Sequence, residues 1–227
     1  MSALANTLAE QFRKHAGELP GAGKPRVVKQ RERAFSQFEA RGIPTLKLEC
    51  WKYTDIRALR DMSYIALGES HDRDSGDLNL PSLPLPEFTP HVAIFLDGEF
   101  CPRLSTLDSL PQGVALSTIG SLLQEESDTI IDHMASNESA FPALNSALLS
   151  DGLFIDLAPN TVLTDPIHVI FLNQQTDAPR LNTARLIVNG GQSSHCVIVE
   201  SHYSLDGAQS MTNALTEIET HDGACAV

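Results

Sequence analysis

Apolar residues near the start of the chain recur at helical spacing. Leu4, Leu8 and Phe12 lie four residues apart, which predicts a short amphipathic helix. Proline and glycine between positions 19 and 23 interrupt this pattern. A second helix is predicted to begin at Pro25 and to end before Gly42, a residue typical of helix C-termini. The front of the chain is therefore expected to be helical.

The pattern changes between positions 46 and 53, where apolar and polar residues alternate. This alternation has a period of two. This stretch contains Trp51, which we expect to be largely buried between the helices and the first strands. Thr54 and Asp55 follow and can cap a last short helix that ends at Leu59.

From position 91 onward the pattern favours β-structure. Val92–Leu96 reads as a buried strand, Asp97-Gly98 as a type I′ hairpin turn, and residues 99–101 as the returning strand. Another strand is predicted at 114–116. One helix is predicted from a capping box at Ser121–Gln124 through Met134, and another from Pro142 through Leu149.

A weak repeat runs through the last third of the chain. Three apolar segments end at Leu157, Val188 and Ile218, spaced 31 and 30 residues apart, and a polar turn follows each one. Short strands, Gly- or Asn-containing turns and a fixed period predict a β-solenoid. An antiparallel sandwich would give a similar hydropathy pattern but no reason for the spacing.

Four regions follow from these patterns. Residues 1–67 are predicted as an N-terminal helical domain, and residues 68–90, with four prolines, as a linker. Residues 91–152 contain the hairpin and the helices that lead into the core, and residues 153–227 form its first coils. The expected class is α+β, mainly β.

Several segments resemble the SufB/SufD family of iron–sulfur cluster assembly scaffolds. The N-terminal signature is carried by Arg41–Lys47 and Glu49–Asp55, and the first hairpin by Phe95–Phe100. The remaining similar segments, in family order, are Leu144–Leu148 with Asp151-Gly152, Pro166–Val169 with Arg185–Val188, and Thr212–Ile218. No single motif is decisive, but their common order over nearly the whole chain is specific.

The resemblance implies a helical N-terminal domain followed by a right-handed parallel β-helix. Family members are roughly twice as long, so the similarity covers their N-terminal half, and the sequence is expected to be truncated. The resemblance also implies a SufB-like subunit and a SufC-like ABC-type ATPase as partners. An iron–sulfur cluster would be handled only transiently, by the whole complex. The family's functional residues lie in the absent half, so none is assigned here.

Charge is distributed unevenly along the 227 residues. Residues 1–60 hold 12 Lys and Arg against 6 Asp and Glu, whereas residues 61–227 hold 4 against 23. Because an acidic body repels phosphate backbones, nucleic acid is not an expected partner. The longest apolar run has five residues, so no membrane span is expected either. Without a signal-peptide pattern the expected location is the cytoplasm.

Thiols and imidazoles cluster near the end of the sequence. His195, Cys196, His202, His221 and Cys225 lie within 31 residues, and at the observed period Cys196 and Cys225 would face the same way. Such ligands suit iron or zinc. Because no Cys-x-x-Cys pair occurs and Cys is often a core residue, we favour structural thiols, with Cys50 and Cys101 likewise structural. His168 is expected to be a hydrogen-bonded core histidine. No metal ligand, cofactor-binding residue or tightly bound cofactor is predicted.

Carboxylates raise one enzymatic alternative. Parallel β-helix enzymes that act on polysaccharides place paired acids on one face. The candidates are Asp156, Asp165, Glu200, Glu217 and Glu219. Because aromatic sugar platforms and a secretion signal are not evident, a solvated outer face is the favoured interpretation, and no catalytic residue is predicted.

The end of the sequence motivates the last expectation. Residues 224–227 are apolar and do not resemble the polar cap of a solenoid. The chain is therefore predicted to act through protein–protein contacts and, when isolated, to self-associate around residues 210–227. The alternative is a stand-alone β-solenoid binding module that dimerises through this open end.

Overall fold

The computed structural model describes residues 3–66, 91–107, 109–135, 139–174, 177–205 and 207–227. The helices are α1 (Ala3–His15), α2 (Pro25–Arg41), α3 (Arg57–Asp61), α4 (Ile119–Glu125), α5 (Asp128–Ala135) and α6 (Ala140–Leu148). The strands are β1 (His91–Leu96), β2 (Glu99–Phe100), β3 (Val114–Thr118), β4 (Asp151–Leu157), β5 (Ile167–Asn173), β6 (Arg180–Gly190), β7 (His195–Cys196), β8 (Ile198–Ser204), β9 (Ser210–Thr220) and β10 (Cys225–Ala226). The predicted linker at 68–90 lies outside the described residues.

The first two helices form where the apolar periodicity predicts them. α1 buries Leu4, Leu8 and Phe12, and the Phe12 ring stacks on Phe35 of α2 with 4.2 Å between centroids. α2 begins at Pro25, whose missing N–H costs nothing at a helix start, and ends at Arg41, with Gly42 as its C-cap at φ +66°. These helices share one apolar core with α6. The predicted domain boundaries are not tested by this packing and stay a prediction.

Two four-stranded sheets form the centre of the molecule. The first sheet has the order β2-β1-β5-β8 and the second the order β3-β4-β6-β9. Their facing side chains, such as Phe95, Phe171, Ile155 and Leu186, form one continuous apolar core. A third, two-stranded sheet joins β7 to β10. Helices cover the outer face of the second sheet, because Ile187 packs with apolar residues of α2, α4 and α5.

The predicted parallel β-helix is wrong. Both four-stranded sheets are mixed: β2 runs antiparallel to β1, and β3 runs antiparallel to β4, while the other pairs are parallel. Part of the sequence repeat reflects parallel pairing, since Val188 and Ile218 are partners 30 positions apart, but Leu157 pairs with Gly190 and not with Val188. The α+β class is retained, but the right-handed solenoid is not.

The predicted hairpin is confirmed, whereas the prediction of one continuous helix in the middle of the chain is wrong. Asp97 and Gly98 have φ +50° and +88°, as a type I′ turn requires, and Phe95 pairs with Phe100. The helix predicted from Ser121 to Met134 is two helices, α4 and α5. Glu126 adopts a left-handed conformation with φ +59° and ends α4. Thr118, and not Ser121, is the N-cap, and its Oγ1 accepts from the Ser121 N–H.

The alternating segment at 46–53 is not a strand. These residues form turns and a 3₁₀ helix at Glu49–Trp51. Trp51 is half-buried, and its ring packs on Phe141 of α6 at 5.5 Å between centroids, not between helices and strands. Alternation in this segment does not reflect a sheet, since Leu46, Leu48 and Tyr53 remain exposed.

Candidate interface at the open sheet edges

Among the described residues, the three sheets all end on strands from the last part of the chain. β8 ends the first sheet, β9 ends the second, and β10 pairs only with β7. We call these three strands the open edge. A terminal strand presents backbone N–H and C=O groups that a further strand can pair with. The open edge is therefore where a further strand can extend the described sheets.

Burial decreases sharply toward this edge. Every residue of β5 is buried, and β6 is buried almost throughout, whereas β8 and β9 are mostly half-buried or exposed. Ile218 on β9 is 50% exposed, and Val227 beyond β10 is 69% exposed. Apolar side chains at this level pack against the layer below but lack a covering layer in the described residues. Covering them would contribute about 25 cal/mol per Å² of apolar surface removed from water.

A polar cluster spans the two sheets at the open edge. Glu200 on β8 accepts a hydrogen bond from Thr216 Oγ1 on β9 at 2.6 Å, and its other carboxylate oxygen lies 2.8 Å from His202 Nε2. The His202 ring stacks on Phe171, with 4.9 Å between centroids. The hydrogen bond from His202 is the largest cause that lowers the pKa of Glu200, and Thr216 adds to it despite the opposing effect of burial. A carboxylate is thus held, charged, where the first and second sheets meet.

The outer face of the second sheet carries a second polar network around Arg185. This residue on β6 is 1% exposed. Its Nε donates to Asn145 Oδ1 at 3.1 Å, and its Nη2 donates to Ser146 Oγ at 2.6 Å. Nη1 donates to the His133 carbonyl at 3.1 Å and lies 3.6 Å from Glu217 Oε2 on β9. Burial lowers the pKa of Arg185 to about 10, while Glu217 opposes this shift.

Asn145 connects this network to the backbone of both neighbouring strands. Its Nδ2 donates to the carbonyl of Ala184 on β6 at 2.9 Å and to that of Asn213 on β9 at 2.7 Å. Asn213 Nδ2 in turn donates to the Phe141 carbonyl at 2.9 Å. Buried polar groups are retained only when they are paired. These bonds therefore fix the position of β9, one strand of the open edge, relative to α6.

Arg31 on α2 extends the buried cationic network. It is 2% exposed and donates to the carbonyls of Ala147 at 3.1 Å and Pro20 at 2.8 Å. Burial is the main cause that lowers its pKa to about 10, and nearby Arg185 adds to the shift. Arg31, Asn145, Ser146 and Arg185 were not identified from sequence as one network. The signal available was polar residues within the apolar runs of α6 and β6.

The predicted thiol cluster separates onto two faces. Cys225 pairs with His195 in register, whereas Cys196 pairs with Ala226. Because paired residues of parallel strands point the same way, Cys196 and Cys225 face opposite sides. Cys196 is buried in the inter-sheet core, while Cys225 and Cys50 are exposed and Cys101 is buried. In the part of the chain that the structure describes, no group of three His, Cys, Asp or Glu side chains is placed to hold a metal ion.

The five candidate carboxylates are also dispersed. Glu200 points between the sheets, and Glu217 faces the Arg185 network. Asp156 accepts from Asn189 Nδ2 at 2.7 Å, Asp165 is exposed in the loop before β5, and Glu219 is exposed near the end of β9. His168 is fully buried, with Nε2 at 2.8 Å from Ser201 Oγ, which confirms a hydrogen-bonded core histidine.

The fold and the edge define a class: an α+β protein in which a helical layer supports two facing sheets with open terminal strands. The described helices include none long and apolar enough to cross a membrane. A cytoplasmic location stays a prediction.

The chain belongs to the SufBD family, because residues 2–169 match the family model described as SufBD protein N-terminal region. It is 25% identical over 180 residues to the iron–sulfur cluster assembly SufBD family protein slr0076 of Synechocystis sp. (strain ATCC 27184 / PCC 6803 / Kazusa), covering 78% of this chain and 39% of that protein. It is 24% identical over 190 residues to the iron–sulfur cluster assembly protein SufD of Escherichia coli (strain K12), covering 82% of this chain and 41% of the relative. The match thus spans about two fifths of each relative's length.

Proposed function

We propose that this chain acts in iron–sulfur cluster assembly as a non-catalytic scaffold subunit. The observation that carries the proposal is the match of residues 2–169 to the SufBD N-terminal region. Two relatives named for iron–sulfur cluster assembly support the same role. The cluster is cargo of the assembled complex, and no tightly bound cofactor is proposed for this chain itself.

The proposed partners are a SufB-like subunit and a SufC-like ABC-type ATPase. Family membership supports a role based on protein contacts, because both relatives are named for iron–sulfur cluster assembly. The buried network around Arg185 and Asn145 supports it as well, since it holds β9 in a fixed position before a partner binds. A prearranged edge lowers the entropy cost of association.

Co-purification tests this proposal. The chain is co-expressed with a SufB-like subunit and a SufC-like ATPase, captured through an affinity tag on the ATPase, and analysed by native mass spectrometry. A stoichiometric complex is expected. Complete exclusion of the chain from a complex that the other two subunits still form would contradict the assembly role.

A stand-alone binding module that self-associates is the second candidate function. It is favoured by the exposed Ile218 and Val227, which a second copy would cover. The co-purification above separates the two candidates, because both allow the isolated chain to self-associate and only the assembly role requires a complex with the ATPase.

A further inference from the structure

A cavity of about 370 Å³ lies between the end of α1 and the start of α2. Its walls come from residues 12–32, which belong to neither sheet and fall within the region that matches the family model. Phe12, Ala16, Ala22 and Val28 supply the apolar part of the wall, and Arg31 lies among them. Cavities of about 300–1,000 Å³ with apolar walls and a few polar groups are typical small-molecule sites.

Arg31 is the unusual member of this wall, because it is a buried cation. Its side chain is 2% exposed, and its two Nη atoms donate to the carbonyls of Ala147 and Pro20. Its Nε–H has no hydrogen-bond partner among the described residues. Buried charges are normally paired, and a buried N–H without an acceptor destabilises a protein. An acceptor that carries a negative charge would satisfy both requirements.

The other charged groups near the cavity do not neutralise Arg31. Glu32 lines the same cavity but is exposed, and Arg13 at the mouth is paired with Glu39 at 3.2 Å. The causes that act on the pKa of Arg31 are burial and nearby Arg185, and both lower it, to about 10. Because this value is well above 7, the guanidinium stays charged at neutral pH. The cavity wall therefore carries one uncompensated positive charge.

We infer that this cavity binds a small apolar molecule that carries a single carboxylate group, held by Arg31. A carboxylate matches the planar N–H geometry of a guanidinium, and the apolar wall suits an alkyl or aromatic body. One carboxylate balances one cation, whereas a phosphate dianion would leave a buried excess of negative charge. Because Nε is shielded from water, the ligand reaches it only when a flexible lining side chain, such as that of Glu32, moves aside.

Isothermal titration calorimetry with sodium octanoate tests the inference on the whole chain. Octanamide is the matched control, because it has the same alkyl chain and nearly the same size but no charge. One octanoate per chain is expected to bind with a dissociation constant of about 1 mM or lower, and octanamide at least about ten-fold more weakly. Equal affinity for the two compounds, or the absence of one-to-one octanoate binding, would overturn the inference.

Two variants of matched chemistry locate the bound molecule. Val28→Phe enlarges a half-buried side chain of the cavity wall and keeps Arg31, whereas Val162→Phe makes the same change at a 57% exposed position outside the cavity. Val28→Phe is expected to weaken octanoate binding by about ten-fold or more, and Val162→Phe by less than about two-fold. Native affinity in Val28→Phe would place octanoate elsewhere and would overturn the assigned site.

Arg31→Met tests the role of the charge, because it keeps a long side chain and removes the guanidinium. The preference for octanoate over octanamide is expected to disappear in this variant, even where both alkyl chains still bind. A folded Arg31→Met chain that keeps the native preference would contradict the role of Arg31. If circular dichroism shows that this variant does not fold, Val28→Phe and the octanamide control decide the outcome.

An acidic side chain of a protein segment is the competing occupant. The probe for it is the blocked tripeptide acetyl-Leu-Glu-Leu-amide, titrated into the chain with and without octanoate. A tripeptide that displaces octanoate and binds about ten-fold more tightly would overturn the small-molecule assignment. This inference does not rest on the proposed function, so the titration and the co-purification above fail independently of each other.

Discussion

Replacement of Asn145 is expected to destabilise the attachment of α6 to the second sheet. Asn145→Ala removes two donated bonds, to the carbonyls of Ala184 and Asn213, and the acceptor for Arg185 Nε. Each buried polar group left without a partner costs about 1–3 kcal/mol. The Arg185 Nε–H becomes such a group, whereas the two carbonyls lie within paired strands and each loses one bond worth about 0.5–1.5 kcal/mol, so the expected total loss is about 2–6 kcal/mol. A domain with about 5–15 kcal/mol of total stability would lose a large part of it.

Urea unfolding followed by Trp51 fluorescence measures this loss. Trp51 is the only Trp and packs on Phe141 of α6, so its emission reports the helix that carries Asn145. The transition midpoint is expected to fall while its steepness stays the same, as for a change in stability alone. Thermal unfolding should show a decrease of about 4–24 °C for a chain of this size.

Ser146→Ala provides the matched control on the same helix. It removes one acceptor of Arg185 and leaves the strand carbonyls paired, so a loss of about 1–2 kcal/mol is expected. A loss below about 1 kcal/mol for Asn145→Ala, or one no larger than that of Ser146→Ala, would refute the assigned role of Asn145.

Three further outcomes are expected. Because the pKa of Glu200 is lowered by His202, its stabilising effect is present above the ordinary carboxyl pKa and is lost as the pH falls through the lowered value. Unfolding free energies measured between about pH 6 and pH 3 should therefore fall more steeply for the native chain than for Glu200→Gln; parallel curves would contradict this. Gly152→Ala should prevent stable folding, since an added Cβ would lie 2.0 Å from the Arg185 carbonyl, whereas Gly17→Ala should leave the melting temperature nearly unchanged. A thiol reagent should modify the exposed Cys50 and Cys225 quickly and the buried Cys101 and Cys196 only after unfolding. Fast modification of all four thiols would contradict the burial of Cys101 and Cys196.

Local signals predicted the elements that local physics determines. Leu4, Leu8 and Phe12 are spaced for one helix face, and that face is buried. Asp97-Gly98 forms the predicted turn because both residues tolerate the positive φ that a two-residue hairpin needs. The end of α4 at Glu126 was missed, since a non-glycine residue in the left-handed conformation leaves little trace in the sequence.

Arrangements that depend on distant parts of the chain were predicted less well. The 30-residue spacing from Val188 to Ile218 correctly reflects parallel partners, whereas the 31-residue spacing from Leu157 to Val188 does not. Neither spacing predicts the antiparallel strands β2 and β3 that make both sheets mixed. The strand register also determines which way the thiols face. Cys225 of β10 pairs with His195, the residue before Cys196 in β7, so Cys196 and Cys225 lie on opposite faces.

The contacts among polar residues of the candidate interface also could not be predicted from local sequence. Glu200 was considered as a catalytic acid and His202 as a metal ligand, yet the structure places them beside each other and joins Glu200 to Thr216 on another strand. Sixteen positions separate Glu200 and Thr216, and only the pairing of β8 and β9 with separate sheets brings them together. The resemblance to the SufB/SufD family was confirmed by the match over residues 2–169.

Hydrogen–deuterium exchange on the assembled complex tests the central claim most directly. The chain alone is compared with the chain bound to the SufB-like subunit and the ATPase, and amide protection is followed peptide by peptide. Protection is expected to increase at β8 and over residues 210–227, because a partner strand would pair their open backbone groups. Unchanged exchange at these strands, with new protection confined to α1 and α2, would contradict the open edge as the assembly interface.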